Sequence, residues 1–335
     1  MKKRGDGLHR LAVALVCLVW PLIWVGGLVT TVDAGMAVPD WPATYGYNMF
    51  LYPLETWLFG PFDLLVEHGH RLLATVVGMV SIAAAVVAWR REPRGWVVGM
   101  TLAVLAAVIF QGILGGLRVV LDARTLAMIH GCFGPAFFAM CTALAVVTSP
   151  WWREIDERPG GAGWGVRRVF FSAAVLLAVL CYGQLLVGAQ LRHVQPWTSP
   201  TFFRRAVEVH VAFAVGVWIV SGGLALGLWK CGDLALSRPA RWLVPLVMCQ
   251  IGLGVLTWVV NYALPVGTDW VSNRYLAGHI LVSKGFWESA IVTAHVATGS
   301  LLIATAVMLA VRLWRVVGVQ RLGVGRAPQP VPQAG

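Results

Sequence analysis

Charged side chains are scarce in this sequence, making up 12% of its 335 residues. A soluble globular protein carries roughly 25%, so the scarcity argues against that class. The apolar residues are also gathered into long stretches, and about 20 consecutive apolar residues are needed to span a bilayer as a helix. Eight stretches meet this requirement, at 11–31, 69–89, 97–120, 127–148, 169–191, 208–229, 242–263 and 290–311. The sequence therefore predicts an all-α polytopic membrane protein with eight transmembrane helices.

Basic residues are missing from one part of the chain. Segment 32–65 has no Lys or Arg, whereas 18 of the 26 basic residues fall in segments on the N-terminal side of the membrane. This positive-inside distribution predicts that both termini are cytoplasmic. The net charge of +11 is then explained by topology. We expect a lipid bilayer around the protein and no nucleic-acid partner.

A cysteine pair in the outer segments is also lacking. All six cysteines lie within the predicted spans or at their ends. A disulfide framework needs cysteines that can pair on the oxidising side of the membrane. We therefore interpret these cysteines as small apolar packing residues.

The chain divides into two similar halves. The predicted parts are a cytoplasmic N-terminus (1–10), an N-terminal four-helix bundle (11–148) with an outer segment (32–65), a cytoplasmic linker (149–168), a C-terminal four-helix bundle (169–312), and a tail (313–335) that is Pro/Gly-rich towards its end and predicted to be disordered. A Gln-x-x-x-Gly element recurs in three odd-numbered spans, at 111–115, 184–188 and 250–254. Small residues at such spacing permit close helix packing, and each Gln indicates an interhelical hydrogen bond.

Each even-numbered span contains one histidine near its outer end: His70, His130, His210 and His295. At 1.5 Å per residue, each lies about 26–28 Å from the inner end of its span. All four therefore share one depth, near the outer edge of a hydrocarbon core about 30 Å thick. His68 is two residues from His70 and faces away from it on a helix. Four histidines at one depth indicate a shared site.

Two arrangements of these histidines are open. Imidazole is a common ligand of metals and of haem iron, and bundle interiors are a usual place for such sites. The four histidines form either one metal cluster or two pairs that each hold one haem. The duplication favours two pairs, His70 with His130 and His210 with His295.

A carboxylate distinguishes the first pair. Glu67 stands three residues before His70 and so lies on the same helical face. The corresponding positions before the other three histidines are Ala127, Val207 and Val292. Glu67 either stabilises the helix N-terminus and pairs with Arg71, or handles protons or charge at a reacting centre.

These residues resemble the haem A synthase family, membrane enzymes that convert haem O to haem A for terminal oxidases. The resemblance rests on the Glu-x-x-His-Arg motif (Glu67, His70, Arg71), on the segment "GGLVTTVDAGMAVPDWPATYG" at 26–46, and on the three later histidines. Many bacterial members have a cysteine pair in an outer segment, and this chain has none. A mechanism that passes electrons through such a pair is therefore not expected here.

The resemblance implies eight helices in two pseudo-symmetric four-helix bundles in the inner (cytoplasmic) membrane. Substrate haem O would lie between His70 and His130, and a cofactor haem b, with its iron, between His210 and His295. Glu67 would be the acid/base or charge-stabilising group for oxidation of a ring methyl to a formyl. Haem propionates need cations, and the candidates are Arg71, Arg118, Arg192 and Lys284. A haem O synthase and terminal oxidase assembly are the implied partners, and the electron carrier is not identified.

Two other functions fit part of this pattern. A dihaem electron-transfer cytochrome without its own substrate also needs four histidine ligands, but Glu67 has no role in it. A transporter or assembly factor with a hydrogen-bonded histidine layer fits the duplicated halves, but no residue pattern marks a substrate path at the midplane.

Overall fold

The structure is a computed structural model that describes residues 6–155, 168–194, 198–262 and 285–323. In these ranges the helices are α1 (Asp6–Thr31), α2 (Leu54–Leu58), α3 (Phe62–Arg91), α4 (Gly95–Val120), α5 (Arg124–Thr148), α6 (Pro150–Glu154), α7 (Arg168–Arg192), α8 (Pro200–Leu228), α9 (Leu234–Tyr262) and α10 (Phe286–Gly323). Eight of them are long and apolar enough to cross a membrane. The predicted all-α polytopic fold with eight transmembrane helices is confirmed.

Local sequence signals set several helix ends. Glu92 precedes Pro93 and is held in an extended conformation (φ −92°, ψ 116°), which ends α3. Pro200 begins α8, and the Ser199 side chain accepts a hydrogen bond from the Phe202 amide at 3.2 Å. These signals turn the chain sharply at the membrane boundary, so that consecutive spans are antiparallel neighbours.

Each half of the chain closes into a ring of four long helices. In the first half α1 packs on α3, α3 on α4, α4 on α5, and α5 back on α1. In the second half α7, α8, α9 and α10 make contacts in the same order. Separate clusters of buried apolar side chains lie mainly within one half or the other. This order of contacts is consistent with two pseudo-symmetric bundles, and the domain boundaries remain a prediction.

The two halves meet along α5 and α10, flanked by α1 against α10 and by α7 against α5. Two hydrogen bonds across this interface occupy equivalent positions. Trp20 Nε1 of α1 donates to the Ala297 carbonyl at 3.2 Å, and the Tyr182 hydroxyl of α7 donates to the Cys132 carbonyl at 3.4 Å. Each acceptor stands two residues after one of the four histidines. These equivalent positions are consistent with an approximate two-fold relation between the halves.

Several helices extend beyond the predicted spans. α3 begins at Phe62 instead of residue 69, α8 at Pro200 instead of 208, and α9 at Leu234 instead of 242. Hydropathy marks only the part of a helix that matches the hydrocarbon core, whereas hydrogen bonding carries the helix into the polar boundary. Glu67 consequently lies in the second turn of α3. This position disfavours the alternative in which Glu67 stabilises the helix N-terminus, since Asp63 is the acidic residue of the first turn.

The predicted disorder of residues 313–335 was wrong for its first part. α10 continues to Gly323 because its apolar residues are packed: Leu313 is fully buried and Val316 is 1% exposed. Trp314 lies against Trp152, with ring centroids 5.8 Å apart. Residues 324–335, and residues 156–167 of the predicted linker, lie outside the described residues.

The eight candidate spans among the described residues predict that both chain ends lie on one side of the membrane, and the basic residues predict that this side is cytoplasmic. Alkaline phosphatase, which is active only on the exported side, is expected to be active when fused after residue 50 and inactive when fused after residue 160 or 335. Green fluorescent protein fused at the same three positions should give the reverse pattern. Phosphatase activity at residue 160 would contradict the topology.

Candidate functional site

The four histidines meet as two pairs in the structure. His70 of α3 faces His130 of α5, with ring centroids 6.3 Å apart and ring planes at 78°. His210 of α8 faces His295 of α10 at 6.4 Å and 54°. Each pair lies inside one ring of four helices, and both pairs have nearly the same separation.

The separation within each pair fits one iron between two imidazole rings. With metal–nitrogen bonds of about 2 Å on either side, facing ring centroids lie about 6 Å apart. Within the described residues, no group of three or more His, Cys, Asp or Glu side chains comes together in a way that could hold a metal ion. The geometry therefore favours two haem-sized sites over the single four-histidine cluster that the sequence left open.

A glycine of the neighbouring helix lies against each histidine ring. A Cβ atom built on these glycines would approach the ring Cε1 to 2.8 Å at Gly26 (His70), 3.1 Å at Gly115 (His130), 3.0 Å at Gly188 (His210) and 3.1 Å at Gly254 (His295). Three of these are the glycines of the Gln-x-x-x-Gly element, which the sequence linked only to helix packing. Gly26 was missed, because Leu22 stands where the other three copies have Gln.

A backbone carbonyl also accompanies each ring. Nδ1 of His130 lies 3.2 Å from the Gln111 carbonyl oxygen, and a histidine that ligates a metal usually donates its second ring N–H to such a group. The carbonyls of Leu22, Gln184 and Gln250 lie beside the other three rings. The Nδ1 atoms of those rings are buried and stop short of hydrogen-bonding geometry.

The predicted interhelical hydrogen bond of the repeated Gln is present at Gln111, whose side-chain amide donates to the His130 carbonyl at 2.9 Å. Gln250 is in a similar place, with its amide nitrogen 3.4 Å from Nε2 of His295. The side-chain oxygens of Gln111, Gln184 and Gln250 are all buried without a partner.

Glu67 lies between two arginines. Its Oε1 accepts from Arg71 Nε at 3.1 Å, and its Oε2 accepts from Arg118 Nη2 at 3.1 Å. The carboxylate is 2% exposed, and the two arginine side chains are 8% and 15% exposed. A buried carboxylate is tolerated when paired and hydrogen-bonded in this way. The predicted Arg71 pairing is observed, and the Arg118 pairing is additional.

Arg71 also holds the outer segment that follows α1. Its Nη1 donates to the carbonyls of Asp40 (2.7 Å) and Ala43 (3.1 Å), and its Nη2 donates to the Val38 carbonyl (2.8 Å). Four of its five N–H groups are thus engaged by Glu67 and this segment. Arg71 was predicted as a propionate partner, and this role remains a prediction beside the protein contacts that the structure shows.

His68 binds the same segment from the other face of α3. Its Nδ1 lies 3.2 Å from the Thr44 hydroxyl, and the rings of Tyr52 and Trp57 pack against it at 5.4 and 5.0 Å. This placement agrees with the prediction that His68 faces away from His70. His68 therefore anchors the outer segment close to the first histidine pair.

Trp41 closes the segment against α4. A Cβ atom at Gly116 would lie 2.4 Å from the indole, so only glycine leaves room for this ring. The neighbouring Asp40 accepts hydrogen bonds from the amides of Tyr45 and Gly46, both at 2.8 Å. Partial burial raises the pKa of the Asp40 carboxyl, but these amide donors outweigh it and hold the pKa below its usual value. The Asp-Trp-Pro run is thus a turn that packs against α4, the helix that carries Arg118.

Within the part of the chain that the structure describes, the second pair lacks this charged arrangement. The positions equivalent to Glu67, Arg71 and Arg118 are occupied by Val207, Val211 and Thr257. Glu208 is nearby in sequence, but it is 46% exposed and pairs with Arg204 and Arg205. The two sites therefore share their histidine geometry and differ in their electrostatics.

Two further residues, Arg192 and Lys284, were predicted as propionate partners. Arg192 of α7 donates to the Gly27 carbonyl at 2.8 Å and to the Thr31 hydroxyl at 2.5 Å, both on α1. It thereby links the two halves beside the first site. Lys284 lies outside the described residues. Propionate binding by Arg118 and Arg192 remains a prediction.

The fold and the two histidine pairs define a polytopic membrane protein with two paired-histidine sites. The sequence profile of the COX15-CtaA family, described as cytochrome oxidase assembly protein, matches residues 9–204. The chain belongs to this family. The matched range contains Glu67, His70 and His130, whereas His210 and His295 lie beyond it.

Curated relatives extend the comparison. The chain is 29% identical to a haem A synthase of Shouchella clausii over 56% of its own length and 60% of that protein. It is 34% identical to one of Methylorubrum populi over 42% and 38% of the respective lengths. A haem A synthase of Symbiobacterium thermophilum is 25% identical over 85% of this chain and 92% of the relative, long enough to include both halves. With the first two the chain matches 60% or less of the relative's length.

The contacts of Arg71 predict how the outer segment responds to its loss. We expect Arg71→Gln to lower the hydrogen-exchange protection of residues 34–53 about tenfold or more, because hydrogen bonds to charged groups contribute about 1.5–3 kcal/mol each. The matched control is Arg204→Gln, since Arg204 is 78% exposed and pairs with Glu208 on its own helix. Unchanged protection in Arg71→Gln, measured by mass spectrometry, would show that Arg71 does not hold the segment.

Proposed function

We propose that this protein is a haem A synthase, an oxidoreductase that converts a ring methyl of haem O to the formyl group of haem A for terminal oxidases. The observation that carries the proposal is the difference in charged residues around the two histidine pairs. The first has a buried carboxylate between two guanidinium groups, and the second has apolar residues or threonine in those places. A chain that only carried electrons needs no such difference. The family and the curated relatives support the same function.

In this proposal the first site receives the substrate. Haem O lies between His70 and His130, and the second pair, His210 and His295, holds a resident haem b. A haem bound at the second site supplies a redox centre for electrons. The nearly equal ring separations, 6.3 and 6.4 Å, support two sites built for the same macrocycle.

Glu67 is the proposed catalytic residue. It stands one turn before His70 on the same face of α3, and its orientation is fixed by Arg71 and Arg118 at 3.1 Å each. Oxidation of a methyl group releases protons and develops charge at that carbon. A carboxylate held beside the ring edge accepts a proton or stabilises positive charge there, and both roles benefit from preorganisation in a low-dielectric interior.

The outer segment contributes by covering the first site. Arg71, His68 and Gly116 each contact it, from two helices that surround the first histidine pair. A cover of this kind excludes water from the reacting centre. Trp41, Tyr45 and Phe50 remain 43–62% exposed on its surface, where aromatic residues also suit the membrane interface.

The surroundings and partners follow from the same proposal. The protein lies in the inner (cytoplasmic) membrane with both termini cytoplasmic. It receives haem O from a haem O synthase, and its product serves the assembly of a terminal oxidase.

The test is conversion of haem O in cells that also produce a haem O synthase. Wild-type protein is expected to yield haem A. Glu67→Gln should lower this yield about a hundredfold or more, the usual contribution of a general acid or base. The haem content of the second site, measured on the same preparation, reports whether the variant is folded.

Glu208→Gln is the matched control, since it alters a carboxylate two residues before His210 that is exposed and outside both pairs. It should leave conversion unchanged. Unchanged turnover in Glu67→Gln would show that Glu67 has a structural role and not a catalytic one. Accumulation of unmodified haem O with the wild-type protein would refute the synthase function.

A further inference from the structure

The contact between glycine and histidine occurs once in each of the four helix pairs. In every case the distance from a built Cβ to the ring Cε1 is 2.8–3.1 Å, shorter than an ordinary van der Waals contact. The same approach therefore recurs at four places, two in each half of the chain. Close packing of two helices alone does not require that a histidine ring be the neighbour each time.

A second feature recurs with it. The residue four positions before each glycine has its backbone carbonyl beside the same ring, and the Gln111 carbonyl lies 3.2 Å from Nδ1 of His130. Residues four apart lie on one helical face. One helix therefore contacts each imidazole twice, through a glycine and through the backbone carbonyl one turn before it.

In two of the four helix pairs, the helix that carries the histidine also has a glycine against the neighbouring helix. Gly134, four residues after His130, lies against the Gln111 amide, and a Cβ there would be 3.6 Å from it. Gly299, four residues after His295, is in the same relation to Gln250 at 3.1 Å. The amide fills the space one turn below the ring, so the pair of helices is fixed in register at the depth of the histidines.

We propose that Gly26, Gly115, Gly188 and Gly254 are positioning residues that set the orientation of the four histidines for iron ligation. The inference rests on the proposed function, in which each pair holds a haem. The glycines do not touch the reacting atoms and act through the imidazole rings. An alanine at any of them displaces the ring by several tenths of an ångström and so weakens the axial bond.

A weaker bond between histidine and iron in such an alanine variant would not be explained by helix propensity. Alanine is a better helix former than glycine by about 1 kcal/mol, so the substitution strengthens the helix itself. The chain also supplies internal controls. Gly252 on α9 and Gly112 on α4 have no neighbour within 4 Å of a built Cβ, and they stand two and three residues from Gly254 and Gly115.

The experiment compares Gly254→Ala with Gly252→Ala, and Gly115→Ala with Gly112→Ala, in the full-length purified protein. One readout is the electron paramagnetic resonance spectrum of the ferric protein, which reports the orientation and strength of axial ligands. The other is the rate of haem transfer to apomyoglobin. For Gly254→Ala we expect a shifted low-spin signal, a high-spin fraction and a transfer rate about tenfold or more above wild type, as for other residues that orient metal ligands. Gly252→Ala should match wild type in both.

The outcomes separate the two proposals. Wild-type protein without haem refutes the proposed function, and this inference with it. Haem-bearing wild type with identical spectra and transfer rates in Gly254→Ala and Gly252→Ala refutes the positioning role alone. If Gly254→Ala yields no folded protein, Gly188→Ala tests the same site from its other ligand, and unchanged spectra there overturn the inference.

Discussion

The structure depends on one arrangement, in which two histidine side chains face each other in the interior of a four-helix bundle. Imidazole rings are costly to bury unless their nitrogens are used, and three of the four Nδ1 atoms here are buried outside hydrogen-bonding geometry. The separation of 6.3–6.4 Å is repeated in both halves. The helix register, the glycines against the rings and the matched depth of the histidines all fit the proposal that each pair holds one iron.

The two halves share their helix arrangement and their histidine pairs, and they differ in the charged residues beside those pairs. The interface bonds of Trp20 and Tyr182 preserve the relation between the halves, while Glu67, Arg71 and Arg118 are confined to one of them. The same arginine that orients Glu67 also binds three carbonyls of the outer segment. The carboxylate and the cover of the first site are therefore one hydrogen-bonded unit. Among the described residues of the second site, the equivalent positions are Val207, Val211 and Thr257, which cannot form such ion pairs.

Much of this arrangement could be predicted from the sequence because it depends on short-range patterns. Apolar run length gave the eight spans, and equal spacing from the inner ends placed the four histidines at one depth. The Arg118–Glu67 bond joins residues 51 positions apart, and no local pattern encodes it. Gly26 was missed because Leu22 breaks the repeat. The helix ends were misplaced because hydropathy falls where a helix leaves the hydrocarbon core.

The central claim is that each histidine pair forms its own haem site. Its most direct test is the haem content of purified His130→Ala and His295→Ala proteins, measured by pyridine haemochrome together with electron paramagnetic resonance. The account predicts that His295→Ala loses the bis-histidine signal of the resident haem, whereas His130→Ala retains it. Loss of that signal in both variants to the same extent would contradict two separate sites and indicate a single centre shared by all four histidines.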